Sequence, residues 1–379
     1  MKHFYTFLFV IMSVTLGRAQ TYYVCCNGKY DVHHAATASY MSYAKRTGKV
    51  TIGNLQYAPA DIDSIVFTRP TDIGMNTVRW MACLPNTTPL RRLTIPGAHD
   101  AATKNCSSVG QCQSLTISEM LNAGVRALDL RPRYTAESQS DITLSKLEIY
   151  HGMLSTGVLF KDAVADIVSF LKENPKETVI INLQKESSGD TDYSSTWRTA
   201  IRTCLGNNSS YVLSQLTATT TLNACRGKMV IISHNPYGNE GVYNDVVYGA
   251  LTESWGDDAS FTTNLLHTYG STVAKAHVTD NYNATTASSK QAYIKANLDE
   301  ASAADSDYYI SFTNVAWTFF GGLPKDYAKT HNAWLNGRIL SGEWPGALGI
   351  VYQDFCADSE CTPELVTNLI LQNHRSLWP

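Results

Sequence analysis

Three short stretches of this chain each deliver a side chain able to move a proton or hold a negative charge. Leu93-Thr94-Ile95-Pro96-Gly97-Ala98-His99-Asp100 is an apolar run that breaks at Pro-Gly into a histidine and an acid. Ala127-Leu128-Asp129-Leu130-Arg131 ends in a carboxylate and a guanidinium, and Leu147-Glu148-Ile149-Tyr150-His151-Gly152 ends in a second histidine. A base, an acid and a fixed positive charge are what cleavage of a phosphodiester requires. Imidazole suits both proton tasks because its ordinary pKa of about 6.5 lets either form be populated near neutrality. Arginine suits the third because it stays charged and grips phosphate with two donors.

The elements that must hold these groups are legible as alternating patterns from Arg79-Trp80-Met81 onward. Thr178 to Leu183 is an almost unbroken apolar run of strand length, as expected of a strand covered on both faces. Further strand-like runs are Met229 to Ile232, Ala276 to Val278, Tyr308 to Phe312 and Leu348 to Tyr352. Leu159, Ala163, Ile167 and Leu171, flanked by Phe160, Val164 and Val168, place a broad apolar face on a helix that starts after Thr156 and stops at Asn174-Pro175. Helical patterns also cover Ser194 to Cys204, Ser288 to Asn297 and Asp326 to Leu335. About eight strands with helices between them predict an α/β fold, a parallel sheet closed into a distorted TIM-type (β/α) barrel. His99, Asp129, Arg131, His151, Gln184, His234, Asp280 and Asp354 each fall at or just past the C-terminal end of a strand, the face where such barrels do their chemistry.

Residues 20–75 read differently, with strands at Thr21 to Val24 and Lys49 to Ile52 and possible helical material from about Ala35 to Ala44. They carry no catalytic signature and are assigned as a small N-terminal extension, with the catalytic barrel over 76–379. Ahead of them, Met1-Lys2-His3, the apolar run Phe4 to Leu16 and Gly17-Arg18-Ala19 have the pattern of a secretory signal peptide over residues 1–19, too short to span a bilayer. Secretion is therefore expected, and nine cysteines beyond the cleavage point suit an oxidising compartment. Cys106 with Cys112, Cys204 with Cys225 and Cys356 with Cys361 suggest local disulfides, leaving Cys25, Cys26 and Cys83 over. Sequons at Asn86, Asn105, Asn207, Asn208 and Asn283 fit a glycoprotein. A formal charge of −3 gives no field for a polyanion, so no nucleic acid partner is expected and phosphate must be held locally.

Six motifs carry a family resemblance: Ile95-Pro96-Gly97-Ala98-His99-Asp100, Gly124-Val125-Arg126-Ala127-Leu128-Asp129-Leu130-Arg131, Tyr150-His151-Gly152, Glu173-Asn174-Pro175-Lys176-Glu177-Thr178-Val179, Asp280-Asn281-Tyr282 and Gln353-Asp354-Phe355. In this order, residues from about 76 to the C-terminus resemble the X domain of phosphatidylinositol-specific phospholipase C, and more the small secreted bacterial enzymes than the large calcium-dependent ones. The resemblance implies attack of the inositol 2-hydroxyl on phosphorus, with release of diacylglycerol and formation of inositol 1,2-cyclic phosphate. It implies His99 as general base oriented by Asp354, and His151 as general acid supported by Asp100. Arg131, held by Asp129, would stand beside the phosphate where the calcium-dependent relatives carry a metal-binding acid, so neither metal nor cofactor is expected. Asp280 and Tyr282 would contact the inositol ring. Gln184, or its neighbour Lys185, and His234 fall where bacterial members carry a lysine and an arginine for inositol hydroxyls.

The partners so implied are phosphatidylinositol or a related inositol phospholipid and a transient membrane surface, met by a monomer. Trp317, Phe319, Phe320 and Trp344, in loops before the last strand, are candidates for lipid contact, although core packing is the commoner role of a lone loop tryptophan. Two other functions compete. A metal-dependent glycerophosphodiester phosphodiesterase would need acidic ligands where Arg131 stands, and a non-catalytic inositol- or glycan-binding protein would not need His99, Asp100, Arg131, His151 and Asp354 together.

Overall fold

In the computed structural model, residues 21–34, 42–44, 46–135, 143–186, 194–234, 248–268, 271–316 and 322–377 are described. The expected leader 1–19, with Trp317, Phe319 and Phe320, lies outside them. The chain opens with short strands β1 (Thr21–Cys26), β2 (Lys29–His34), β3 (Ser42–Ala44), β4 (Lys49–Ile52), β5 (Leu55–Tyr57), β6 (Ile62–Val66) and β7 (Gly74–Met75), arranged in sheets of order β6-β1-β2-β7 and β3-β4-β5. Tyr22, Val24, Val50, Ile52, Leu55, Tyr57 and Ile62 close a small core between them, together with Ala82 and Cys83. The helix expected up to Ala44 is corrected at its end. Ser42–Ala44 pair antiparallel with β4, because a three-residue exposed stretch with no apolar period gains more from a hairpin ladder than from an isolated helical turn.

β8 (Thr94–Ala98) and β9 (Ala127–Leu130) begin the barrel. β10 (Pro132–Tyr134), β11 (Leu147–His151) and β12 (Leu154–Leu159) then leave it as a separate antiparallel sheet. β13 (Val179–Leu183), β14 (Met229–Ser233), β15 (Ala250–Thr252), β16 (Ser260–Thr268), β17 (Ser271–Thr279), β18 (Tyr308–Phe312) and β19 (Gly349–Gln353) complete the closure, β19 pairing with β8 and β9 with β13. Every residue of β8, β9, β13, β14, β18 and β19 is buried, which is why these strands read as unbroken apolar runs.

Two expectations change. Among the described residues the barrel has nine strands and is not all parallel, since β15, β16 and β17 are joined antiparallel. Ala276 to Val278 marks the end of β17 in the sequence, but β16 and the start of β17 escape the pattern because threonines and other polar residues interrupt the apolar ones. His151 ends a strand of the side sheet rather than of the wall, so the second histidine reaches the mouth from an excursion. Helices Phe160–Glu173, Ser194–Gly206, Ala287–Ala303, Pro324–Leu340 and Glu364–Leu377 cover the outside. Phe160, Ala163, Val164, Ile167 and Leu171 form the buried face of the first, as its spacing predicts. Trp344 packs in the helical layer with Leu298, Leu335 and Leu348, its indole donating to Asp299 Oδ1 at 2.8 Å. No helix among the described residues is long and apolar enough to cross a membrane.

The extension is fixed to the N-terminal end of the barrel, away from the strand ends that carry His99 and Arg131. Arg79 pairs with Asp31 at 2.6 Å, and Asn54 donates to the carbonyls of Ala82 and Leu84. At that end Arg126 and Glu177 form a buried pair at 2.9 Å, and Glu177 also accepts the amides of Met81 and Ala82.

Candidate active site

At the C-terminal end of β8 the wall closes tightly over Gly97. A Cβ there would lie 2.8 Å from the Tyr352 ring, so only glycine lets β8 approach β19 at this height. Two residues beyond the strand, Asp100 adopts a left-handed backbone, φ 41°. It is held there by its amide donating to Asp129 Oδ2 (3.2 Å) and by its carbonyl accepting from the Thr103 hydroxyl (2.8 Å). Strain of this kind is maintained where it aims a side chain.

His99 shares a 2.7 Å hydrogen bond between Nδ1 and Asp354 Oδ1. Gln113 ties the two loops together by donating to the carbonyls of His99 and Gln353. His151 Nδ1 lies 2.9 Å from the Gly110 carbonyl. A carbonyl only accepts, so Nδ1 carries the proton and the working nitrogen is Nε2. The carboxylate expected behind His151 is thus corrected to a backbone oxygen, and Asp100 stands on the other side of the ring. Asp100 Oδ2 is 3.2 Å from His99 Nε2 and 3.4 Å from His151 Nε2. With ring centroids 6.4 Å apart, the two imidazoles aim their Nε2 atoms at one place.

Arg131 stands beside that place. Its Nε and Nη2 donate to Asp129 Oδ2 at 3.1 and 2.8 Å, and Nε is 3.2 Å from Asp100 Oδ1. Burial opposes the charge of Arg131, but Asp100 and Asp129 overcome it and raise its pKa well above the usual value. Burial alone would raise Asp129, yet Arg131 and His99 bring it down to about 2. Burial would likewise lower His99, but the carboxylates of Asp100 and Asp354 outweigh it and raise the imidazole. A cavity of about 390 Å³ opens over these groups, lined among others by His99, Arg131, His151, Gln184, Asp280, Tyr282 and Asp354. That volume is in the range of small-molecule sites.

Residues 86–235 match the family model for the phosphatidylinositol-specific phospholipase C X domain. The chain is similar to the 1-phosphatidylinositol phosphodiesterase of Listeria monocytogenes, 26% identical over 309 residues covering 76% of this chain and 84% of that one. It is also similar to the Staphylococcus aureus protein of the same name, 25% identical over 300 residues, 72% of this chain and 91% of that one. Residues 86–235 are thus similar to that X domain, and the curated relatives that match most of this chain carry the phosphodiesterase name. Solved structures show the same fold. A phosphatidylinositol-specific phospholipase C of S. aureus, described for modulation of its membrane binding, superposes with a TM-score of 0.66 at 22% identity, covering 79% of this chain and 97% of that one. The L. monocytogenes enzyme gives 0.61 at 24% identity, covering 79% and 99%.

Not every recognition residue expected from the sequence reaches the cavity. Gln184, Asp280 and Tyr282 line it, whereas Lys185 and His234 do not. His234 lies beneath Trp255, ring centroids 3.3 Å apart, with Nε2 2.8 Å from Asn182 Oδ1. Asn182 uses its Nδ2 on Asp129 Oδ1, so its oxygen accepts and the proton of His234 sits on Nε2. Burial drives His234 down to about 3, and it is therefore a neutral link in a chain that runs through Asn182 and Asp129 to Arg131.

Sequence reasoning misses Trp255 and the place of Cys112, both of which line the cavity. Trp255 donates from its indole to Asp280 Oδ2 at 3.1 Å and presents its face beside Phe312, but nothing in its loop context marks it out. The disulfide expected of Cys112 is corrected, with the other two pairings, because all nine cysteines are free thiols. Their sulfurs face unlike surroundings: Cys106 the Ser155 carbonyl, Cys112 the His151 ring, Cys356 the Gly97 carbonyl and Cys361 the Lys325 carbonyl.

Proposed function

We propose that this protein cleaves phosphatidylinositol as a lyase, releasing diacylglycerol and forming inositol 1,2-cyclic phosphate. The observation that carries the reading is the convergence of two histidine Nε2 atoms on one point 3.2 and 3.4 Å away, beside a guanidinium. With Asp354 holding its Nδ1 proton, His99 takes the proton of the inositol 2-hydroxyl at Nε2 as that oxygen attacks phosphorus. Arg131 donates toward the non-bridging phosphate oxygens, whose negative charge rises in the transition state. His151, fixed by Gly110, gives its Nε2 proton to the departing glycerol oxygen. Asp100 steers both rings and stabilises whichever is charged.

Head-group contact falls to Gln184, Asp280 and Tyr282, with Trp255 as the wall behind Asp280. The diacylglycerol side would meet a membrane transiently. Val109, Met153 and Leu154 support this, because they are 39%, 78% and 37% exposed beside His151. The machinery lies within one chain, which fits a monomer, and the leader pattern of residues 1–19 fits export.

The deciding experiment offers phosphatidylinositol vesicles to the purified protein with excess chelator and follows the phosphorus product by NMR. Cyclic phosphate under chelator is the expected result. Activity abolished by chelation, or binding without any product, would overturn the proposal.

A further inference from the structure

Cys112 has no part in proton transfer or phosphate binding, yet its sulfur sits among the catalytic side chains. It sits in the loop after β8, 1% exposed while lining the cavity, with Sγ 4.0 Å from His151 Nδ1. Two sets of ligand-type groups share this sulfur. One is His99, Cys112 and Asp354, and the other is Asp100, Cys112 and His151; within each set the ligand atoms lie within 4.8 Å of one another. A thiol, an imidazole and a carboxylate form a donor set that suits zinc and other thiophilic cations, whereas calcium and magnesium take oxygen ligands. Bonds of about 2.0 to 2.3 Å in a tetrahedral zinc site put ligands roughly 3.3 to 3.8 Å apart, so closing the set is a contraction of about 1 Å.

A second observation points to a cation. Oδ2 of Asp354 is buried and has no hydrogen-bond partner among the described residues. Asp100 and Asp129 are engaged by the guanidinium of Arg131, whereas Asp354 meets only the His99 imidazole among the ion pairs of the described residues and so keeps an oxygen for a cation.

We propose that Cys112, His99 and Asp354 form an inhibitory site for a thiophilic divalent cation, zinc being the type case. As the metal–sulfur bond forms, the Cys112 thiol releases its proton to solvent, and no oxidation state changes. The bound cation occupies His99, so the base is lost for as long as the metal stays. This inhibitory consequence rests on the function proposed above; the binding itself does not.

Cobalt(II) is the probe, because thiolate ligation gives it an intense charge-transfer absorption that needs no turnover. The full chain should develop that band at one equivalent, zinc should erase it, and calcium should not. Cys112→Ser and Cys112→Ala should both lose the band, while Cys106→Ser keeps it. In parallel, zinc should slow phosphatidylinositol cleavage reversibly with chelator, and each Cys112 variant, compared with its own metal-free rate, should need at least ~10-fold more zinc. A band that survives both Cys112 replacements, or no band in the native chain, overturns the site. Cobalt binding at Cys112 in a protein that cleaves no phosphatidylinositol would leave the site standing and remove only the inhibition.

Discussion

Arg126 and Arg131 flank the same strand, β9, one before its first residue and the other after its last. At the N-terminal end every guanidinium nitrogen of Arg126 is used within the protein: Nε on Glu177, Nη1 on the carbonyls of Leu121 and Val125, and Nη2 on those of Thr77 and Val78. At the other end Arg131 commits only Nε and Nη2 among the described residues, both toward carboxylates, and lines an open cavity. Both are arginine–carboxylate assemblies, Arg126 buried and Arg131 partly exposed, and both fall in the same sequence motif. The difference is saturation. A cation whose donors are all spent can only hold the fold, whereas one with donors to spare can hold a substrate anion.

This contrast can be broken at either end. The largest effect should come from the imidazoles that share the mouth with Arg131. His99→Ala and His151→Ala should each lower kcat by about 100- to 10,000-fold, as general catalysis supplies, with the urea midpoint little changed. Near-full activity in either folded variant would sink the assignment of base and acid. Next, Arg131→Lys keeps the charge but loses the planar fork, and kcat should fall by about 100- to 1,000-fold. If Arg131 were as structural as Arg126, this variant would lose stability in place of rate.

The opposite pattern is expected of Glu177→Gln and Arg126→Met. Each leaves a buried charge without its partner and should cost about 3 to 5 kcal/mol of folding free energy in denaturant titrations, while the folded fraction keeps its specific activity. Loss of activity without loss of stability would erase the distinction between the two ends. The smallest effect is a displacement along the pH axis. Burial lowers His99, but Asp100 and Asp354 raise it overall, so the neutral form needed for a base is lost as pH falls through a value above the ordinary 6.5. Asp354→Asn removes one raising influence, and the acid limb of kcat/KM should move to lower pH as well as to lower rate. An acid limb that stays put would mean that Asp354 does not tune this ring.

Legibility in the sequence depends on whether a feature is local. The wall strands can be read because both of their faces are buried, and His99, Arg131 and Asp354 because each follows such a strand immediately. β16 and the first half of β17 cannot, since polar and exposed residues break the apolar run there. Gly110 is invisible because its contribution to His151 is a backbone oxygen, which no side-chain pattern encodes. Cys112 is misread because a cysteine count gives pairings no geometry, and its neighbour proves to be an imidazole rather than a second sulfur. His234 falls among the substrate contacts through the family resemblance, but matched position says nothing of rotamer, and its ring turns under Trp255.

The segment Thr77–Cys83 has a consequence for anyone trimming this protein. It supplies the Thr77 and Val78 carbonyls to Arg126 and the Met81 and Ala82 amides to Glu177, yet the stretch that matches the family model starts only at residue 86. A gene cut at that border would encode a barrel with an unplugged base. The smallest autonomous piece is therefore set by where those carbonyls and amides end, upstream of the recognisable domain.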